Sequence, residues 1–373
     1  MEMKTAEAPK ASKPTKAFGK FFLPGPTEVV AEVLEAQTRA MIGHRGAGIK
    51  ALMEKLQVGL QDVFRTKKQV FLSTSSATGL MEAAARNGVQ KKALSLVNGA
   101  FSLRFAEIVE SCGFEAERME VPWGQVFDPQ AVRDRLKQGG IDSVTVVHSE
   151  TSTGALNPIA EISKVVHEFP DVQIFVDSVT GVGGAPMLTD EWDLDFVLTG
   201  SQKALALPPG LSFGVASERL MERSKAAKNK GVYFDLVTFA KNQKDFMTPT
   251  TPALSVMYAL EVQLDRIKKE TMEARWARHQ AMLDACGAWV ENSHAGISVL
   301  ATAGHRSPTV TTIKMPEGQA SAPIVTAMKE KGFVIGGGYG KIKDYTFRIG
   351  HMGDHTVAEQ QAVLDALGEV FAK

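Results

Sequence analysis

Between about residue 70 and residue 220 the chain alternates two kinds of stretch. Short, nearly unbroken apolar runs occupy 70–72, 93–97, 144–148, 174–177, 196–199 and 212–216. Longer stretches at 79–86, 101–111, 129–137 and 159–168 carry their apolar residues at helical spacing. Apolar runs without polar alternation are expected where helices cover both faces of a sheet. The alternation therefore predicts an open, mostly parallel α/β sheet. Ligands on such sheets sit beyond the carboxyl ends of the strands.

The flanks read differently. Phe21-Phe22-Leu23 runs into Pro24-Gly25-Pro26-Thr27, too stiff for a helix or a central strand, and Thr27 is expected to cap a helix starting at Glu28. After the sheet region an uninterrupted helical pattern spans 253–283 and leads to an α+β portion. That portion holds strands at 309–313 and 345–349, a helix at 322–331 and a closing amphipathic helix at 357–371. Between them lies Gly336-Gly337-Gly338-Tyr339-Gly340, read as a loop in which positive φ costs little. The expected division is a disordered tail at 1–17, a large domain at 18–268 and a small C-terminal domain at 269–373.

Composition narrows the function. A chain of 373 residues exceeds one ordinary core. Lys plus Arg (42) equals Asp plus Glu (42), so charge draws the chain neither to nucleic acid nor to a membrane surface. No apolar stretch reaches membrane-spanning length. Two cysteines, Cys112 and Cys286, exclude a disulfide framework and make a reducing compartment, the cytoplasm, the expectation. In the tail, Glu2, Glu7 and the lack of arginine weigh against a transit peptide.

The chemistry lies at the predicted strand ends. One apolar run, Ile174-Phe175-Val176, ends in Asp177. The next, Phe196-Val197-Leu198, leads to Thr199-Gly200-Ser201-Gln202-Lys203, 26 positions beyond Asp177. An amine that condenses with an aldehyde and an acid that protonates a pyridine nitrogen together describe a clamp for pyridoxal 5′-phosphate. A third strand end, Ser73-Thr74-Ser75-Ser76-Ala77-Thr78-Gly79, opens a helix. It suits a phosphate group, and equally an ordinary hydroxyl cap. It lacks the lysine of a nucleotide-binding loop. Asn98-Gly99-Ala100-Phe101 offers a ring to a planar ligand, or to the core. His148-Ser149-Glu150-Thr151 ends another strand. Thr151 can donate to a ring oxygen, whereas His148 and Glu150 can equally be structural. Arg348, in Phe347-Arg348-Ile349-Gly350, suits a substrate carboxylate or an internal salt bridge.

Taken together, these stretches resemble the class V aminotransferases of fold-type I, and within them the alanine–glyoxylate and serine–pyruvate group. The resemblance runs from Leu23-Pro24-Gly25-Pro26-Thr27 to Phe347-Arg348-Ile349-Gly350. It is carried by Glu150-Thr151-Ser152-Thr153-Gly154, Val176-Asp177-Ser178-Val179, Gly200-Ser201-Gln202-Lys203 with Pro208-Pro209-Gly210, and Pro308-Thr309-Val310-Thr311-Thr312. It implies a mostly parallel seven-stranded sheet sandwiched by helices, with a smaller α+β domain. Pyridoxal 5′-phosphate is the implied cofactor, linked to Lys203, which also shuttles the proton. Asp177 and Val179 lie at the ring, Phe101 stacks on it, and Thr151 approaches its hydroxyl. Ser76, Ala77 and Thr78 form the phosphate cup, with Gln202 nearby. Arg348 takes the substrate α-carboxylate.

Thr250, by the same resemblance, reaches the phosphate of a partner subunit, implying a homodimer with shared active sites. Ser75 and Ala77 stand where relatives often have glycine, and Met247 where some have tyrosine. The substrate pocket is expected from Pro24-Gly25-Pro26 and from Ile42-Gly43-His44-Arg45. Tight backbone at Gly25 suits alanine, serine, glyoxylate or pyruvate. An inward Arg45 would instead favour aspartate or phosphoserine, and an outward one is a solvated charge. A lyase or a non-enzymatic relative are the remaining alternatives. A cysteine desulfurase needs a reactive loop cysteine that neither Cys112 nor Cys286 supplies.

Overall fold

A computed structural model describes residues 18–293 and 295–372. The expected tail at 1–17 lies outside them. The large sheet has seven strands. In spatial order they are Val70–Ser73, Ser212–Ala216, Phe196–Gly200, Gln173–Asp177, Ser143–Val147, Lys92–Val97 and Glu115–Glu120. Ser212–Ala216 runs antiparallel to both neighbours, and the other pairings are parallel. Successive residues of the central strands enter opposite cores. Ile174, Val176 and Val197 join one apolar cluster, while Phe175, Phe196 and Leu198 join the other. Burial on both faces is why these strands lack polar alternation. All six predicted strands are present within a residue of their expected ends.

Several local features differ from the sequence reading. The strand Glu115–Glu120 reads Glu-Ala-Glu-Arg-Met-Glu and lies at the sheet's edge, with most of its side chains partly or fully exposed. Its polarity hid it. The helix expected from Glu28 starts only at Ala31, and Thr27 caps nothing. Its amide donates to Gln202 O at 3.0 Å and its hydroxyl to Met352 O at 3.2 Å, tying the Pro24–Thr27 turn between both sheets. The long helix is two, Leu254–Glu270 and Met272–Asn292. Thr271 breaks them at φ 70° and ψ 149°, and its side chain accepts from Ala274 N to cap the second.

The second sheet has five strands in the order Phe21–Phe22, Val334–Gly337, Thr346–Gly350, Val310–Lys314 and Ser298–Val299. Phe21–Phe22 pairs parallel with Val334–Gly337, so the N-terminal segment joins this sheet. Gly336 and Gly337 are strand residues, and within the glycine run only Gly340 takes a positive φ, 61°. A Cβ there would lie 2.8 Å from the Trp123 ring. The helices Met272–Asn292, Ala322–Glu330 and Val357–Phe371 pack with this sheet around a core containing Phe22, Phe347 and Ile349.

Candidate active site

Adjacent parallel strands deliver the two members of the clamp. Asp177 ends one strand and pairs in register with Leu198 of the next. Beyond Leu198 the chain turns, and Ser201 pins the turn: its amide donates to Leu211 O at 2.9 Å and its hydroxyl to Pro208 O at 2.7 Å. Lys203 projects from this turn into a cavity of about 260 Å³. Its ammonium donates to Pro24 O at 2.6 Å. Gly25 follows with φ +111°, and a Cβ on it would fall 2.3 Å from Lys203 Nζ. Only glycine lets the lysine lie against this turn.

Electrostatics prepare the pair for proton chemistry. Asp177 is 2% exposed and accepts from Val179 N at 2.8 Å. Burial pushes its carboxyl up to about 7, and Glu150 adds to the rise. The Val179 bond and the charges of Lys203 and Arg104 oppose it. Burial pulls the Lys203 amine down to about 8, helped by the Arg348 charge and opposed by Asp177. Near neutrality about a tenth of this amine is neutral, far more than for an ordinary lysine, and condensation with an aldehyde requires that form. A cationic ring nitrogen beside Asp177 would restore its charged form.

The helix Ala77–Gly88 begins at the cavity. Ser76 precedes it in extended conformation without making a side-chain cap, so the ordinary hydroxyl cap is not what forms here. The Ser75 hydroxyl turns away to Ser73 and Ser212, at 2.9 and 2.8 Å. Ser76, Ala77 and Thr78 line the cavity at this positive helix end. Gly79 is needed for packing, since a Cβ would meet the Phe234 ring at 2.4 Å.

Phe101 forms another wall, in the first turn of the helix Ala100–Ser111. Its ring stacks on Tyr339 at 5.4 Å and 15°, and the Arg104 guanidinium lies 5.1 Å from its centroid. Fully buried Glu150 secures this turn, accepting from Ser102 N at 2.9 Å, Ser102 Oγ at 3.0 Å and Phe101 N at 3.3 Å. Gly99 makes room for it, since a Cβ there would fall 2.3 Å from the carboxylate. His148 Nδ1 meets Ser178 Oγ at 3.0 Å, and burial pushes the imidazole down to about 4, so it is a neutral structural histidine.

Arg348 donates to Gly337 O at 2.8 Å and to Thr151 O at 3.3 Å, and lies over the Tyr339 ring. These partners are carbonyls and a ring, with no carboxylate among its ion-pair contacts within the described residues. The salt-bridge alternative is therefore not realised. Burial pulls this guanidinium down to about 10, so it remains charged at neutral pH.

The cavity brings together Gly25, Ser76, Ala77, Thr78, Phe101, Thr151, Asp177, Val179, Gln202 and Lys203. Arg348 reaches Thr151 at its side. Arg45 and Thr250 are not among its lining residues. Arg45 is exposed and donates to Thr248 O at 2.9 Å and Pro249 O at 3.2 Å, beside exposed Thr250. Met81, Val147 and Ser149 also line the cavity without having been singled out as site residues, and two further residues with chemistry to offer, Arg104 and Tyr339, escaped the sequence reading. Arg104 lines the cavity three positions after Phe101, one helical turn away, and that spacing is the signal by which it could have been found. Tyr339 accepts from Arg104 Nη2 at 3.0 Å, and nothing in its glycine-rich segment announced that contact.

The residues present fit pyridoxal 5′-phosphate. A buried acid, a neutralisable amine, an uncapped helix end and an aromatic wall surround one cavity, and glycine is enforced where the lysine lies. A family model described as aminotransferase class-V matches residues 25–341. An uncharacterised aminotransferase of Methanocaldococcus jannaschii is 41% identical, covering 89% of this chain and 87% of its own. The L-aspartate–glyoxylate aminotransferase of Paracoccus denitrificans is 31% identical, covering 90% and 87%. The crystal structure of an alanine–glyoxylate aminotransferase from Nostoc sp. superimposes with a TM-score of 0.89 at 28% identity, covering 97% of each chain. The chain belongs to the class-V aminotransferases, enzymes dependent on pyridoxal 5′-phosphate.

Proposed function

We propose that the protein transfers the amino group of a small amino acid, alanine or serine, to a small 2-oxo acid, glyoxylate or pyruvate. The observation that carries this reading is that the Gly25 backbone lies directly against Lys203 at one wall of the cavity, where an added Cβ would fall 2.3 Å from Nζ. Similarity to the alanine–glyoxylate enzyme of Nostoc sp. supports it.

Pyridoxal 5′-phosphate, when bound, supplies an aldehyde carbon and an electron-withdrawing ring. The rest is done by the chain. Lys203 would hold the aldehyde carbon until the substrate amine displaces it; the freed amine would then take the proton from the substrate Cα and deliver it to that aldehyde-derived carbon, across the amino nitrogen. Asp177 keeps the ring nitrogen protonated, and Val179 N–H holds that carboxylate in place. The helix end at Ser76, Ala77 and Thr78, with Gln202, takes the phosphate. Phe101 packs on the ring face, and Thr151 faces the ring oxygen. Arg348 takes the substrate α-carboxylate and so orients the Cα–H bond toward Lys203. The same proton movements in reverse pass the amino group to the 2-oxo acid.

Arg104 favours a second reading, a dicarboxylic or phosphorylated donor such as aspartate or phosphoserine. It is a further guanidinium on the cavity wall, with Tyr339 Oη and the Phe101 ring as its partners. A panel of alanine, serine, aspartate and phosphoserine against glyoxylate, pyruvate and 2-oxoglutarate decides. The first reading requires alanine or serine to give the highest kcat/KM. Preference for aspartate or phosphoserine establishes the second. Cofactor binding with no turnover of any pair overturns both.

We further place the enzyme as a homodimer with shared sites. Arg45 and Thr250 stand together on the surface, away from their own cavity, and Met41 and Val58 are large apolar side chains each 63% exposed. Light scattering tests this, and a monomer that retains full activity excludes it. No helix among the described residues is long and apolar enough to cross a membrane. Free thiols at Cys112 and Cys286 suit the cytoplasm, and fractionation of the native host tests that placement.

A further inference from the structure

Arg275 is among the most deeply buried large side chains of the molecule, at 1% exposure, and lies outside the cavity. Its guanidinium reaches four separate pieces of chain. Nε donates to Gly183 O at 2.9 Å, in the loop that follows Asp177 and Val179. Nη2 donates to Ala204 O at 2.8 Å, the carbonyl immediately after Lys203. Nη1 reaches Glu270 at 2.8 Å, on the helix that ends there, and Asp354 at 3.0 Å, four residues beyond the Arg348 strand. The break at Thr271 places Arg275 in the first turn of its helix, where it meets Glu270 of the preceding one. The two loops it joins are already close, since a Cβ on Gly184 would fall 3.1 Å from that of Ala204. The lysine turn is itself tight, with Ala206 at φ +52° and its amide donating to Lys203 O at 2.8 Å.

A neutral side chain cannot replace this arrangement without leaving the buried Gly183 and Ala204 carbonyls unpaired and Asp354 with only Gln263 and Arg266 as partners. The planar fork of arginine satisfies all four partners at once, and the point charge of lysine cannot. We infer that Arg275 is a positioning residue that sets the register of Lys203 against Asp177 by holding the carbonyl after the lysine and the loop after the acid on one guanidinium. It also links that register to the end of the strand carrying Arg348. The inference rests on the assignment of Lys203 and Asp177 as the cofactor clamp, and is independent of the amino acid used.

The test compares holoenzyme of the parent with Arg275→Lys and, as a milder variant, Asp354→Asn. Three quantities are read: the thermal midpoint, the pH midpoint of the absorbance of the lysine-bound cofactor, and kcat and KM for several donors. The expected result for Arg275→Lys is a shift of that pH midpoint with a ~10-fold or larger loss of kcat, common to all donors, as misplacement of a reacting group produces. KM is expected to change much less. Asp354→Asn is expected to shift the pH midpoint in the same direction by less. If the variants lose only thermal stability, with pH midpoint and kcat within about twofold of the parent, Arg275 is merely structural and the inference is wrong. If Arg275→Lys does not fold, an unchanged pH midpoint in Asp354→Asn overturns the inference equally. Failure of the underlying reading looks different. Borohydride reduction would then mark an amine other than Lys203 in the parent itself.

Discussion

The two sheets contribute to the site by different means. The seven-stranded sheet brings Asp177 and Lys203 together through topology, because neighbouring parallel strands end at the same edge. The five-stranded sheet contributes Arg348, whose place depends on packing against Thr151 and Tyr339 from other parts of the chain. On the proposed roles, the cofactor clamp is built by backbone hydrogen bonding and the substrate clamp by side-chain contacts across two sheets. Cofactor binding should therefore be robust to changes at the second sheet, while substrate recognition should not.

The sharpest way to break this division is Lys203→Ala. Turnover is expected to fall by on the order of 10⁴-fold or more, with cofactor still retained noncovalently through the helix end and Asp177. Stopped-flow half-reactions measure it, and residual activity above a few per cent would contradict the role.

Asp177→Asn is expected to cost about 10²–10³-fold in kcat, as loss of a preorganised charge does. Its effect on the apoprotein should have the opposite sign. The folded carboxyl sits near 7 and the unfolded one near 3.8, so its stabilising contribution is complete below about 4 and disappears as pH rises through 7. At pH 8 the apo variant should therefore melt higher than the parent, and at pH 4 the advantage should vanish. Calorimetry of both apoproteins checks the sign.

Arg348→Met tests the other sheet. An expected loss of about 10²-fold in kcat/KM should appear mainly in substrate binding, with the cofactor retained. Because the Arg348 charge helps hold the Lys203 amine near 8, its removal should raise that value toward 10.5. Lysine–cofactor linkage in the apoprotein would then need a higher pH. Loss of cofactor instead would place Arg348 in the wrong clamp. The smallest effect is expected of Phe101→Leu, which removes one ring stack. Equilibrium titration should show cofactor binding weakened by about 0.5–1.5 kcal/mol, with donor preference unchanged.

Much of this was readable from the chain. Strands buried on both faces left apolar runs, and the polar residues closing them were the candidates for chemistry, so Asp177, Lys203 and the Ser76–Thr78 turn stood out. Edge strand Glu115–Glu120 was missed because half-exposed strands carry no such run. The helix break at Thr271 was missed because the flanking sequence continues the helical pattern across it. Glu150 is a buried helix anchor whose partners at Phe101 and Ser102 lie about 50 positions away, beyond any local signal.

From the chain alone the central strands and the residues closing them, Asp177, Lys203 and Ser76–Thr78, could be picked out as candidates, because unbroken apolar runs and the polar residues after them are local features. Packing alone decided that Arg348 has no carboxylate ion-pair partner among the described residues, that Arg104 and Tyr339 meet at the cavity, and that Arg275 ties four segments together. Those facts depend on which distant groups share a dry, crowded volume. Pairing and burial there are set by packing between elements, and no stretch of the chain carries that information on its own.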